Sequence, residues 1–118
     1  MKAGTSPTGV ERRGGQRRQP AVGTECRFVV EEGAKAAVGL VWNISHGGVS
    51  LLVSRPYPPG TELTGELITV SQSARLPIVL RVSHLTRLLT GDYCVGGPFL
   101  RELRDDELQP FLAVPAAK

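Results

Sequence analysis

Two short stretches of the sequence hold the side chains best suited to chemistry: "RRGGQRR" at residues 12–18 and "NISHGG" at residues 43–48. The first stretch concentrates guanidinium groups, which carry a permanent positive charge and present several N–H donors to an anion. The second places an amide, a hydroxyl and two glycines between apolar runs. Together they predict either a contact for polyanions beside a polar pocket, or a solvated basic tail beside a hairpin corner.

The positive charge of the chain is concentrated in its first 20 residues, here called the leader. The leader has five basic side chains against Glu11 alone, a net charge of +4, whereas the remaining nine basic and ten acidic side chains give −1. A basic cluster on a segment that contains Gly, Ser and Pro is usually a solvated tail or a loose contact for polyanions. The basic excess of the whole chain therefore belongs to the leader.

From Thr24 onward, short runs rich in Val, Leu and Ile alternate with turn residues, a pattern typical of strands. Six strands at hairpin spacing in 118 residues predict one antiparallel β-barrel or sandwich. The predicted domain organisation is a flexible leader at 1–20, a barrel at 21–112 and a tail at 113–118. The six strands are expected near residues 24–31, 36–42, 48–54, 61–70, 75–87 and 92–101.

The stretch "LRELRDDELQPFL" after the last strand predicts a short helix that closes one end of the barrel. Asp105 is the expected N-cap, and Pro110 limits the helix to one or two turns. Leu108, Phe111 and Leu112 would share its buried face.

Several classes of function lack their sequence signals. No apolar run of about 20 residues predicts a membrane span, and the leader lacks the apolar core of a signal peptide, which favours a cytoplasmic protein. His46 and His84 lie far apart without Cys or carboxylate partners at ligand spacing, so no metal site is expected. No catalytic triad or P-loop is visible, which argues against an enzyme. Aromatic residues make up only 5% of the chain, which argues against binding to single-stranded nucleic acid polymers.

The stretch "NISHGG" falls where the second predicted strand ends and the third begins. The backbone must turn there, and Gly47 or Gly48 is expected to supply a positive φ. Asn43 and Ser45 are suited to capping the corner with bonds from side chain to backbone. On this interpretation alone, the stretch is a hairpin corner with no ligand.

A second feature changes that interpretation. Arg13 and Arg17 have the spacing RxxxR, and Asn43, Ser45 and Gly48 have the spacing (D/N)xSxxG. With these two motifs, and with the closing strand "GDYCVGGPFL", the chain resembles the PilZ domain family, whose members are bacterial receptors for the second messenger cyclic di-GMP. The resemblance covers about residues 11 to 112.

The resemblance implies a six-stranded antiparallel β-barrel with a short C-terminal helix and a leader that folds over the barrel when the dinucleotide binds. Arg13 and Arg17 would contact phosphate and guanine groups. Asn43 and Ser45 would meet a guanine edge, and Gly48 would let the base approach the backbone. Pro20 follows Arg18 closely, so a register shifted by one makes Arg18 the second arginine of the motif, with Gly14 in the place of the first.

A member of this family is a non-enzymatic switch without a cofactor, and its liganded surface is recognised by a downstream effector protein. The alternative is a degenerate PilZ-like adaptor that binds a protein partner without the nucleotide. The register ambiguity around Arg13 favours this alternative.

Overall fold

Alternating apolar side chains form seven strands in the computed structural model, which describes residues 18–31 and 33–113. All of their pairings are antiparallel, and the order across the sheet is β5-β4-β1-β2-β3-β7-β6. The strands are β1 (Glu25–Val29), β2 (Ala37–Ile44), β3 (Gly48–Val53), β4 (Glu62–Ile68), β5 (Arg75–Arg81), β6 (His84–Arg87) and β7 (Tyr93–Pro98).

The sheet curls into a half-barrel because its two edge strands are consecutive in the chain. β5 and β6 lie at opposite edges of the sheet, yet only Val82 and Ser83 separate them. A chain extends at most about 3.3–3.6 Å per residue, so this link forces the two edges towards each other. The backbone of Val82 also bonds to Gly60 and Thr61, at 2.7 and 2.8 Å. The β4–β5 hairpin is therefore held against the link.

The structure confirms an antiparallel β architecture with a short C-terminal helix, but the expected count of six strands is wrong. The predicted strand at 75–87 is two strands, because the chain leaves one edge of the sheet at Val82 and Ser83 and continues at the other. No Gly or Pro marks this break, and buried Val82 continues the apolar alternation through it. The other five predicted strands match observed strands, with ends displaced by no more than three residues.

The C-terminal helix α1 (Asp105–Leu108) continues into a 3₁₀ turn at Gln109–Phe111. Its N-cap is Arg104, one residue before the expected Asp105, and the backbone N–H of Arg104 donates to the Glu107 carboxylate at 2.8 Å. The predicted apolar face is confirmed. Leu108 and Phe111 are buried in the core of the half-barrel, and Leu112 packs against that core. No helix in the described part of the chain is long and apolar enough to cross a membrane.

The core consists of the inward-facing side chains of the strands together with apolar side chains of residues 99–112, here called the C-terminal segment. These buried residues are Cys26, Phe28, Val41, Ile44, Val49, Leu51, Val53, Leu63, Leu67, Ile78, Leu80, Val82, Val95, Phe99, Leu103, Leu108 and Phe111. Burial raises the pKa of the Cys26 thiol to about 12, so this cysteine is a neutral core residue. Val41 and Ile44 thus anchor the C-terminal half of β2, and with it the corner that follows, to the core.

Candidate functional site

The corner between β2 and β3 is held by the side chain of Ser45. Its Oγ accepts hydrogen bonds from the backbone N–H groups of Gly47 and Gly48, at 3.3 and 3.2 Å. The same hydroxyl donates to the carbonyl oxygen of Gly48 at 3.4 Å, and the residue is only 1% exposed. The hydrogen-bonding groups of Ser45 are therefore used within the corner. Direct contact of this side chain with a ligand stays a prediction.

Gly48 is required for a different reason from the one expected. The expectation of a positive φ at Gly47 or Gly48 is wrong, because neither is among the described glycines with positive φ. Instead, a Cβ at position 48 would lie 2.5 Å from the carbonyl oxygen of Gly97 and 3.2 Å from the Cα of Pro98. The missing side chain therefore allows β3 to approach β7 closely.

The segment that leads from β7 to α1 fixes the corner from a third direction. The backbone N–H of Phe99 donates to Gly47 at 2.8 Å, and that of Leu103 donates to His46 at 2.7 Å. The His46 imidazole also lies 3.4 Å from a carboxylate oxygen of Asp105, the first residue of α1. The position of the corner is thus linked to the position of the helix.

A β-bulge in β2 turns two consecutive side chains away from the core. Val41 pairs with Leu51, but the next pair along the strands joins Asn43 to Ser50, so one extra residue is inserted. Both Val41 and Ile44 are buried, although strict alternation would put them on opposite faces. Trp42 and Asn43 between them are exposed and half-buried respectively. The bulge therefore presents an indole and an amide beside the corner.

Three further residues lie in register with Asn43 on the outer face of the sheet. Asn43 pairs with Ser50, Ser50 with Gly96, and Gly96 with His84, across β2, β3, β7 and β6. A Cβ on Gly96 would lie 2.7 Å from Cε1 of His84 and 2.8 Å from the Oγ of Ser50. The imidazole and the hydroxyl therefore meet over this glycine. Strand pairing brings Ser50 and His84 together, although they are far apart in the chain. The glycine pair in "GDYCVGGPFL" is the one feature of the sequence that indicated a close contact at this place.

Arg18 is the predicted arginine whose position the structure describes. Its backbone N–H donates to Ile44 at 2.8 Å and its carbonyl accepts from Ile44 at 3.1 Å, so the leader joins the sheet at the corner. The Arg18 side chain is exposed and forms no ion pair with another described residue. Arg13 and Arg17 lie outside the described residues. The structure therefore brings Arg18 together with Asn43, Ser45 and Gly48.

A concavity of about 510 Å³ lies at the opposite end of β2 from the corner. Phe28, Val38 and Tyr57 contribute to its wall, and Lys35 and Arg55 line it without an ion pair to other described residues. None of the predicted site residues that the structure describes belongs to this groove. The corner, and not this concavity, therefore holds the described residues with predicted chemistry.

The chain matches no family model and no curated protein. Membership of the PilZ family therefore stays a prediction drawn from the motifs of the sequence. The corner combines a basic segment joined to the sheet at Ile44 with an amide and an indole that the bulge turns outward.

Proposed function

We propose that this protein is a non-enzymatic, PilZ-like receptor for cyclic di-GMP that binds the dinucleotide at the outer side of the corner between β2 and β3. The observation that carries the proposal is the backbone pairing of Arg18 with Ile44. This pairing attaches the arginine-rich leader directly beside Asn43. In the proposal, the half-barrel is a PilZ-like barrel whose fifth strand is divided into β5 and β6, and no cofactor takes part.

The chemistry of the ligand matches these side chains. Cyclic di-GMP carries two phosphates and two guanines, and a guanidinium can bind a phosphate or the O6 and N7 atoms of guanine with paired hydrogen bonds. Arg13 and Arg17 supply these contacts in one register, and Arg18 replaces Arg17 in the other. The Asn43 amide has both a donor and an acceptor for a guanine edge. Ser45 and Gly48 give the corner its shape.

In this proposal the leader lies over the corner in the liganded state, and a downstream effector protein recognises the surface so formed. The hydrogen bond between Leu103 and His46 connects the corner to α1, so a ligand that changes the corner also acts on the C-terminal segment. Ordering a segment costs about 1–2 kcal/mol per backbone residue, so binding requires several strong contacts at once.

A second function has support from one observation. Val38, Leu40 and Trp42 form an exposed apolar row along the outer face of β2. An exposed apolar surface of this kind is typical of a contact with another protein. This row favours the adaptor, which binds a protein partner without the nucleotide.

Calorimetry with cyclic di-GMP on the whole chain separates the two functions, with GMP and the linear dinucleotide as controls. The receptor should bind the cyclic dinucleotide selectively, with a Kd of about 1 μM or tighter, about −8 kcal/mol. Arg17→Ala should weaken binding about ten- to a hundredfold, because it removes a charge-assisted hydrogen bond. If Arg13→Ala reduces the affinity as much as Arg17→Ala does, Arg13 and Arg17 form the motif. If Arg18→Ala reduces the affinity more than Arg17→Ala does, the register is shifted by one residue.

Two results would contradict the receptor. One is the absence of binding to cyclic di-GMP in the calorimeter, which leaves the adaptor as the function. The other is competition by single-stranded DNA that is as effective as cyclic di-GMP and falls steeply with added salt, since a basic tail binds any polyanion in this way.

A further inference from the structure

Trp42 differs from every other aromatic residue of this protein. The chain contains one Trp, two Tyr and three Phe, and the structure describes all six. Trp42 is 60% exposed. The other five rings are buried in the core or packed against it: Phe28, Phe99, Phe111, Tyr57 and Tyr93. Burial of an aromatic ring stabilises a folded protein. An indole that the fold leaves in solvent is therefore available for contact with a ligand.

The backbone holds Trp42 in a defined position. Val41 before it is buried, and Asn43 after it pairs with Ser50 of β3. Bulges of this kind redirect side chains next to binding sites. The indole is therefore presented directly beside the amide proposed to contact guanine.

A cation lies beside the same stretch of β2. Arg18 pairs through its backbone with Ile44, two residues beyond Trp42, and its exposed guanidinium forms no ion pair with other described residues. A guanidinium stacks on the faces of aromatic rings and bases. The outer face at the bulge thus offers an aromatic face and an amide, two groups that bind a purine base, and the backbone of a basic segment lies beside them.

We propose that Trp42 is the stacking platform for one guanine of the ligand, and that Asn43 contacts the edge of the same base. This inference rests on the proposed function. Stacking on an aromatic ring does not depend on which base is bound, whereas hydrogen bonds to the base edge do. Trp42 therefore contributes affinity, and Asn43 contributes the preference for guanine.

The sole tryptophan makes this proposal measurable in the intact chain. Cyclic di-GMP should change the fluorescence of the wild-type protein, with the same Kd as calorimetry gives. Trp42→Leu keeps an apolar side chain but removes the ring, and should weaken binding about ten- to a hundredfold. Trp42→Phe should recover part of the loss. Leu89→Ala, at a fully exposed apolar residue in the turn between β6 and β7, is the matched control and should leave the Kd unchanged.

A second ligand distinguishes the roles of the two neighbours. Trp42→Leu should weaken cyclic di-GMP and cyclic di-AMP by the same factor, which leaves their affinity ratio unchanged. Asn43→Ala should reduce that ratio, because it removes the contact that depends on the base. The urea midpoint of Trp42→Leu should stay at the wild-type value, since the ring is mostly outside the core.

Three results would overturn the inference, and they are separable. If calorimetry shows binding but the fluorescence is unchanged and Trp42→Leu keeps the wild-type Kd, the stacking role is wrong and the receptor stands. If Trp42→Leu lowers the urea midpoint as well as weakening binding, and Trp42→Phe restores neither the midpoint nor the Kd, Trp42 supports the fold and does not contact the ligand. If the wild-type chain does not bind cyclic di-GMP in the calorimeter, the proposed function fails and the inference fails with it.

Discussion

The corner between β2 and β3 has an inner side and an outer side, and the two differ in what their residues do. On the inner side, Ser45 and Gly48 are buried, and each is explained by a contact within the protein: a hydroxyl that bonds the corner backbone, and a missing Cβ that admits β7. On the outer side, Trp42 is exposed and Asn43 is half-buried. Neighbouring residues between positions 42 and 48 therefore divide into a group that builds the corner and a group that points away from the core.

The bulge in β2 causes this division. In a regular strand, side chains alternate between the two faces, so either Trp42 or Asn43 would point into the core. The extra residue lets both avoid the core while Val41 and Ile44 stay buried. The set of side chains that point outward at the corner thus depends on strand register as much as on residue type.

The largest expected effect tests the inner side. Gly48→Ala places a methyl group against the backbone of Gly97, which has no freedom to move aside, and should lower the free energy of unfolding by about 3 kcal/mol. Urea denaturation measures this change. Gly96→Ala is the matched control, because the three atoms nearest to its methyl group would belong to the side chains of His84 and Ser50, which can rotate, and not to backbone. Equal losses for the two variants would show that β3 and β7 are not closely apposed at Gly48.

Ser45→Ala should have the next largest effect, again on stability. The substitution leaves the buried N–H groups of Gly47 and Gly48 without their side-chain acceptor and should cost about 2 kcal/mol of unfolding free energy. Ser83→Ala, which removes one exposed hydroxyl, should cost less than about 0.5 kcal/mol. Wild-type stability combined with lost ligand binding would place Ser45 on the outer side and contradict the division.

Asn43→Ala tests the outer side and should affect ligand binding more than stability. We expect a smaller loss of stability than for Ser45→Ala, and a Kd for cyclic di-GMP raised about tenfold, because a hydrogen bond to the ligand is removed. Calorimetry and urea denaturation of the same preparation give both values. Asn43→Asp keeps an acceptor at this position and should stay closer to the wild-type Kd. A large loss of stability without a change in Kd would assign Asn43 to the inner side.

The smallest expected effect concerns the segment that holds the inner side in place. Hydrogen bonds from the Arg101 guanidinium, at 3.0 Å, lower the pKa of Glu107 from 4.5 to about 2. Because the folded-state pKa is depressed, this stabilisation is complete above pH 4.5 and is lost as the pH falls towards 2. Glu107→Gln should therefore reduce the decrease in thermal midpoint between those two pH values. A midpoint that falls equally steeply in both proteins would exclude this contribution.

The sequence predicted the local features of this protein better than those that depend on distant contacts. Alternation of apolar residues located five strands, and the small polar residues of "NISHGG" located the corner, since both signals are local. The break at Val82 and Ser83 was missed because a long-range change of sheet edge, and not a turn residue, causes it. For the same reason, spacing along the chain could not show that Ser50 and His84 meet over Gly96, nor that Gly48 is needed for contact with Gly97.

The short link between β5 and β6 also has a consequence for the speed of folding. The link joins the two edges of the sheet, so it can adopt its final geometry only after β1 has paired with β4 and β3 with β7. Both pairings connect segments that are far apart in the chain, and such topologies fold on the order of milliseconds to seconds. Stopped-flow refolding measures this rate. The hairpin of β4 and β5 can form early from neighbouring residues, whereas the meeting of the two edges at Val82 is expected to be the last step.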